Sequence, residues 1–108
     1  MKQFKLDDMQ RGWFVGDFSP AAFVTQGAEV AIKSYRAGER EARHHHRIAT
    51  EITVIQSGAV EMNGQRFDSG AIIVIEAGES TDFHALQDSV TVVVKVPGAR
   101  DDKYAGEA

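Results

Sequence analysis

Three consecutive histidines followed by a glutamate are the residues of this chain best suited to chemistry. His44, His45 and His46 are adjacent. In an extended strand alternate side chains share a face, so His44 and His46 point to one side and His45 to the other. Two imidazoles on one face form a bidentate clamp for a metal ion. His45 is expected to pack or to face solvent and not to act as a ligand.

Glu51 is the acidic partner of this pair. It follows His46 by five positions, and in an unbroken strand an odd separation puts two side chains on opposite faces. We therefore predict a bend within residues 47–50, after which Glu51 opens an antiparallel strand and turns back towards the imidazoles. Two imidazole nitrogens and one carboxylate hold Fe(II) and leave coordination positions open. The competing interpretation is a surface histidine tract that binds metal only by accident.

The elements that position these residues are predicted to be strands. No long window shows the apolar period of an amphipathic helix, whereas short β-rich runs alternate with turn residues. We predict strands at 12–18, 29–36, 51–56, 59–62, 65–67, 71–75, 81–86 and 90–96. Asn63-Gly64 is a strong hairpin signal, and the run AIIVI at 71–75 is predicted to be buried on both faces. This spacing of strands is typical of an all-β sandwich or small barrel.

Composition limits the remaining classes of function. A chain of 108 residues fits a single domain, with a barrel core at about 12–97, a short N-terminal strand segment and a flexible C-terminal tail; docking of this tail through Tyr104 is the alternative. The absence of cysteine excludes disulfides, thiolate metal sites and cysteine nucleophiles. A net charge of −4 argues against nucleic acid or an anionic membrane as partner. With charged residues near the N-terminus and no long apolar stretch, a cytoplasmic protein is expected.

Residues 38–58 resemble the first motif of the cupin family, G-x5-H-x-H-x3,4-E-x6-G. The matching residues are Gly38, His44, His46, Glu51 and Gly58. Every specified position of the motif is therefore matched within one short segment.

Residues 70–85 resemble the second cupin motif, G-x5-P-x-G-x2-H-x3-N, less closely. Gly70 and Gly78 match, while Glu76, Thr81 and Ala85 stand where proline, histidine and asparagine are expected. The second motif is therefore matched only in its glycines.

The resemblance implies an antiparallel jelly-roll barrel, the double-stranded β-helix, with a divalent metal (Fe, Mn, Ni or Zn) inside its mouth. It implies His44, His46 and Glu51 as ligands. A fourth ligand normally comes from the second motif, where Thr81 is a poor ligand. His84 is the tentative replacement, although its odd separation from Thr81 would require a β-bulge or a register shift. The resemblance to the cupin family also implies a homodimer.

Several other side chains have two interpretations. The aromatic residues Trp13, Phe14 and Phe18 are predicted to pack in the core or at a dimer seam, with a stacking platform for substrate as the alternative. Lys95 is predicted to face outward from an edge, with a pocket cation as the alternative. The arginines near the predicted mouth are expected to form a solvated rim, with binding of an anionic substrate as the alternative; they are Arg36, Arg40, Arg43 and Arg47.

Three classes of function follow from these features. The first is a metal-dependent enzyme acting on a small polar molecule, such as a sugar derivative; small cupins include dioxygenases, isomerases, epimerases and decarboxylases. The second is a non-catalytic module that binds a small ligand or a metal without turnover. The third is a structural or partner protein with a vestigial site. The sequence indicates no organic cofactor and assigns no catalytic residue.

Overall fold

The computed structural model describes residues 1–108, and most of its regular structure is short strands joined by turns. Two short 3-10 turns, Leu6–Asp8 and Gln10–Gly12, precede the first strand. The strands are β1 (Trp13–Val15), β2 (Glu29–Tyr35), β3 (Arg40–His45), β4 (Thr50–Ser57), β5 (Ala59–Met62), β6 (Gln65–Asp68), β7 (Ile72–Ile75), β8 (Ser80–Ala85), β9 (Ser89–Val96) and β10 (Tyr104–Ala105). None of the helical segments has the length and apolar character needed to cross a membrane.

The strands form two five-stranded sheets. The first sheet has the order β1-β2-β9-β4-β7 and the second has the order β10-β3-β8-β5-β6. Every pairing between these strands is antiparallel. The core between the sheets is built from both of them: Ile55, Val60, Met62, Ile75, Phe83 and Ala85. This architecture confirms the predicted all-β jelly-roll.

The inward side chains change from apolar to polar towards one end of the barrel. On β4 the inward series runs from buried Ile55 through Thr53 to Glu51. On β8 it runs from Ala85 through Phe83 to Thr81. Apolar side chains thus stabilise one end by burial, and polar groups collect at the other, where a site can form.

Two turns show why glycine is required at their positions. Asn63 and Gly64 have φ angles of 51° and 76°, as a two-residue hairpin turn between β5 and β6 demands. The hairpin predicted from Asn63-Gly64 is therefore confirmed. Gly58 has a φ of +88°, and a Cβ there would lie 2.3 Å from the Ser89 hydroxyl oxygen. Any side chain at position 58 would strain the backbone and clash with β9.

The prediction that residues 71–75 are buried on both faces is wrong. β7 is the edge strand of the first sheet, and its inward residues Ile73 and Ile75 pack against the core. Its outward residues Ile72 and Val74 are 67% and 55% exposed. The apolar run therefore covers the core with one face only, and nothing within the chain covers the other.

The C-terminal segment is not a flexible tail, and Tyr104 docks it as the alternative interpretation predicted. Tyr104 and Ala105 pair with His45 and His44 as an additional strand of the second sheet. Asp102 is only 4% exposed. The segment after the barrel core is therefore docked against β3, next to the histidine tract.

Candidate metal centre

The chain crosses from one sheet to the other between the histidines and the glutamate. His44 belongs to β3 of the second sheet, and His46 follows the last residue of that strand. Glu51 is the second residue of β4, which lies in the first sheet. The predicted bend therefore exists. However, Glu51 faces the imidazoles across the interior of the barrel and not from a strand paired with β3.

This crossing brings three potential ligands together. Ligand atoms of His44, His46 and Glu51 all lie within 4.8 Å of one another. The two imidazole rings have centroids 5.3 Å apart and are nearly perpendicular, at 83°. Ligand atoms about 2.1 Å from a common ion lie roughly 3–4 Å apart, so small side-chain adjustments would seat a single divalent ion.

Hydrogen bonds orient two of these side chains. His44 Nδ1 lies 3.0 Å from the carbonyl oxygen of Ala42, which can only accept, so Nδ1 carries the proton and Nε2 keeps a lone pair. The Thr53 hydroxyl donates to Glu51 Oε2 over 3.0 Å. Outer partners of this kind fix the tautomer and the direction of a metal ligand.

His46 has the protonation state that a ligand needs. It is only 5% exposed, and its Nε2 is buried without a hydrogen-bond partner. Burial lowers the pKa of His46 to about 4, and the charges of Lys95 and His44 act in the same direction. The imidazole is therefore neutral at pH 7, as a metal ligand must be. Two nitrogens and one carboxylate oxygen fit Fe, Mn, Ni or Zn.

The structure does not bring His84 to this group. β8 keeps its alternation from Thr81 to Ala85, so His84 lies on the face opposite to Thr81 and pairs with Arg40 and Glu61. β8 therefore lacks the bulge that His84 would need in order to reach the cluster as a fourth ligand. A register shift does exist, but it lies in the neighbouring strand β3. The Thr81 side chain lines the cavity instead.

The register shift in β3 places an unpredicted carboxylate in the interior. Glu41 pairs with Phe83 and His44 with Thr81, so three steps on β3 oppose two on β8. The extra residue lets Glu41 and His44 both face inward despite their odd separation. Parity alone would have placed Glu41 on the outer face, and no local signal in the sequence marks the bulge.

Glu41 joins two residues of β2 in a polar network. The Tyr35 hydroxyl donates to Glu41 Oε1 over 2.5 Å, and Lys33 Nζ lies 3.9 Å from the same oxygen. Burial and the adjacent Glu41 raise the pKa of Tyr35, so the phenol stays protonated. Burial opposes ionisation of Glu41, but the Lys33 ammonium and the Tyr35 hydrogen bond outweigh it and lower the pKa of that carboxyl. Alternation along β2 would have identified Lys33 and Tyr35 as inward residues.

A cavity of about 320 Å³ adjoins the candidate ligands and this network. Trp13, Phe18 and Lys95 line it. The outward orientation predicted for Lys95 is therefore wrong, because Lys95 continues the inward series of β9 after Thr91 and Val93. Trp13 and Phe18 line the wall of the cavity, whereas Phe14 lies outside it beside Ile32.

The remaining predicted residues lie outside the cavity. His45 is buried, stacks on Tyr104 with ring centroids 5.5 Å apart, and donates from Nδ1 to the Gly106 carbonyl over 2.9 Å. Arg43 pairs with Asp82 at 3.2 Å. The other arginines are exposed, and none of them lines the cavity: Arg36, Arg40 and Arg47.

Comparison with known proteins identifies the fold. No protein-family model and no curated protein matches the sequence. A conserved protein of Klebsiella pneumoniae with a double-stranded β-helix domain superposes with a TM-score of 0.70 at 21% identity, over 78% of this chain and 74% of that one. KdgF from Halomonas sp. gives a TM-score of 0.64 at 23% identity, over 71% of this chain and 76% of that one.

A third structural neighbour is described as a sugar phosphate isomerase of the cupin superfamily from Silicibacter pomeroyi. It gives a TM-score of 0.60 at 18% identity, over 65% of this chain and 50% of that one. At these identities the likeness concerns the fold. The protein therefore has the double-stranded β-helix fold of the cupins.

Proposed function

We propose that this protein binds one divalent metal ion through His44 Nε2, His46 Nε2 and the Glu51 carboxylate, and that a small polar molecule binds beside it in the cavity. The observation on which the proposal rests is the convergence of these three groups, one of them a buried imidazole nitrogen with no partner. A buried acceptor without a hydrogen bond is costly, and a metal ion would satisfy it.

A bound metal would supply Lewis acidity or an O₂-binding centre at this position. The surrounding side chains have separate tasks. Thr53 orients the Glu51 carboxylate, and the Ala42 carbonyl keeps the proton of His44 on Nδ1. Lys33 presents a donor from the cavity wall, whereas the Tyr35 hydroxyl donates to Glu41 and can only accept from a ligand. Three protein ligands leave coordination positions that the small molecule can occupy.

The nature of the small molecule is supported by the cavity and by the structural neighbours. A volume of about 320 Å³ is at the lower end of the range for small-molecule sites. Its wall combines charged side chains with Trp13 and Phe18, as suits a polar ligand that has one apolar face. A sugar-derived compound has this character, and one structural neighbour is described as a sugar phosphate isomerase.

Metal analysis of protein purified without an affinity tag tests the proposal. We expect close to one Fe, Mn, Ni or Zn per chain, lost in His46→Ala. The matched control is His84→Ala, which removes a histidine of the same barrel from outside the cluster. Loss of metal from His84→Ala, or equal metal content in His46→Ala and the unmodified protein, would contradict the assignment.

A binding module without turnover is the second candidate. It is supported by Thr81, which stands where the second motif expects a histidine, and by the position of His84 outside the cluster. Spectroscopy of the Co(II)-substituted protein separates the two candidates. Turnover at the metal requires an exchangeable position, so azide should change the visible spectrum of an enzyme. A spectrum unchanged by azide would favour the binding module.

A further inference from the structure

Two lysines converge on one aromatic ring at the wall of the cavity. Lys95 Nζ lies 4.8 Å from the centroid of the Trp13 ring, and Lys33 Nζ lies 5.2 Å from it. Both ammonium groups therefore lie close to a single indole. Their attraction to the ring is modest, and their mutual repulsion is not relieved by it.

Carboxylates of the chain neutralise this pair only in part. Lys95 lies between Glu29 and Glu51 in the strand ladder but forms no salt bridge with either. Lys33 has one ion pair, at 3.9 Å to Glu41, and Glu41 also accepts the Tyr35 hydrogen bond. The pair therefore retains cationic character that an anion could satisfy.

A hydroxyl without a partner lies across the β2–β9 ladder from Lys33, on the same face of β9 as Lys95. Thr91 is directly opposite Lys33 in the β2–β9 ladder and is 1% exposed. Its Oγ1 is buried without any hydrogen bond, although the residue lines the cavity. Buried hydroxyls are normally satisfied, so this one indicates a missing acceptor.

We infer that Lys33, Lys95 and the Thr91 hydroxyl form a subsite for an anionic group, a carboxylate or a phosphate, of the molecule that binds in the cavity. The inference rests on the proposed function, because it names the class of molecule that would bind beside the metal. Ammonium groups bind such anions as point charges, and a hydroxyl adds a directed donor. Trp13 forms the wall of the subsite, so the ligand combines an anionic end with a flat or apolar portion.

Fluorescence of Trp13 provides a direct readout, because it is the only tryptophan of the chain. The purified protein is titrated with inorganic phosphate and, separately, with acetate at constant ionic strength. We expect a saturable change in emission with at least one of the two, and the stronger response distinguishes phosphate from carboxylate. A repeat after removal of metal by a chelator excludes binding of the anion to the metal alone.

Substitutions assign the response to the subsite. Lys95→Met should raise the apparent Kd by about tenfold or more, because it removes a charge-assisted contact. Thr91→Val is the second variant; it keeps the β-branched shape and removes only a hydroxyl that has no partner, so the fold should be retained while anion binding weakens. Lys2→Met, at an exposed position outside the cavity, is the charge-matched control and should bind as the unmodified protein does.

The measurements distinguish failure of the anion subsite from failure of the metal proposal. Anion binding that is weaker in Lys95→Met and Thr91→Val, with unchanged metal content, supports the subsite. No saturable response to either anion in metal-loaded protein, or equal Kd values in all variants, overturns the subsite and leaves the metal proposal intact. Absence of metal with a response that still depends on Lys95 would overturn the metal proposal alone.

Discussion

The three adjacent histidines have three different environments, and these environments decide what each can do. His44 is held by the Ala42 carbonyl, and His45 is packed against Tyr104. His46 is buried in the cluster. The Nε2 atoms of His45 and His46 both lack hydrogen bonds. Of these two residues, only His46 lies beside another imidazole and a carboxylate. The neighbouring groups, and not the residue type, therefore decide which histidine is a candidate ligand.

At the scale of single residues, His45→Ala tests whether His45 is functionally distinct from the candidate ligands beside it in the chain. We expect metal stoichiometry to be unchanged and the free energy of unfolding to fall by about 1–3 kcal/mol, through loss of the Tyr104 stack and the bond to the Gly106 carbonyl. Chemical denaturation and metal analysis measure the two quantities. A loss of metal equal to that in His46→Ala would mean that the two histidines are not functionally distinct.

Thr53→Val tests the orientation of Glu51. The hydroxyl donates to Glu51 Oε2, and removal of such an outer partner lowers metal affinity by about 10–100-fold. Thr53→Ser keeps the donor and should retain most of the affinity. The measurement is competition for Zn²⁺ against a chelator of known affinity. Equal affinity in the valine and serine variants would show that the hydrogen bond does not contribute.

At the scale of elements, the docked C-terminal segment supports the loop between β3 and β4. Both carboxylate oxygens of Asp102 accept hydrogen bonds from the backbone amides of Arg47, Ile48 and Ala49, at 2.9–3.2 Å. This loop separates His46 from Glu51. Asp102 therefore stabilises the crossing between sheets on which the cluster depends.

Asp102 should make stability dependent on acid pH. Burial opposes its ionisation, but the hydrogen bonds from the backbone amides of Ala49, Arg47 and Ile48 outweigh burial and lower the pKa below its ordinary 3.8. A carboxyl whose pKa is lowered by folding stabilises the native state above the unfolded pKa, and this stabilisation is lost as the pH falls through the folded pKa.

We therefore expect Asp102→Asn to lower the free energy of unfolding by about 1–3 kcal/mol at pH 7, with the difference from the unmodified protein shrinking below about pH 4. Urea denaturation across a pH series measures it. Asp101→Asn, at the exposed neighbouring position, is the control. A difference that stays constant down to pH 2 would contradict the role of the ionised carboxylate.

At the scale of the whole molecule, the outer face of the first sheet is apolar. The outward positions of its four longer strands hold Val30, Ile32, Ile52, Val54, Ile72, Val74, Val92 and Val94. The N-terminal residues Phe4, Leu6 and Met9 lie close to Ile32 at one side. The face over β4 and β7 lacks such a cover, and apolar patches of this kind commonly mark interfaces.

A homodimer that buries this face is therefore expected. Val74→Lys would place a charge within the apolar patch without touching the core, and it should shift the protein to a monomer. Gln65→Lys, at an exposed position of the other sheet, is the control and should remain dimeric. Size-exclusion chromatography with light scattering measures both. A monomeric unmodified protein at micromolar concentration would contradict the expectation.

The sequence alone predicted eight of the ten strands, the hairpin at Asn63-Gly64 and the candidate set of His44, His46 and Glu51. These follow from local rules, since alternation assigns faces and glycine spacing assigns turns. The bend between the histidines and the glutamate was predicted from the odd number of positions between His46 and Glu51.

Tertiary structure alone decided which faces turned inward. Strand pairing placed β4 in the opposite sheet from β3, so Glu51 approaches the histidines across the barrel. A bulge in β3, and none in β8, brought Glu41 into the interior and left His84 outside. Bulges and sheet membership depend on which distant strands pair, and local propensity does not contain that information.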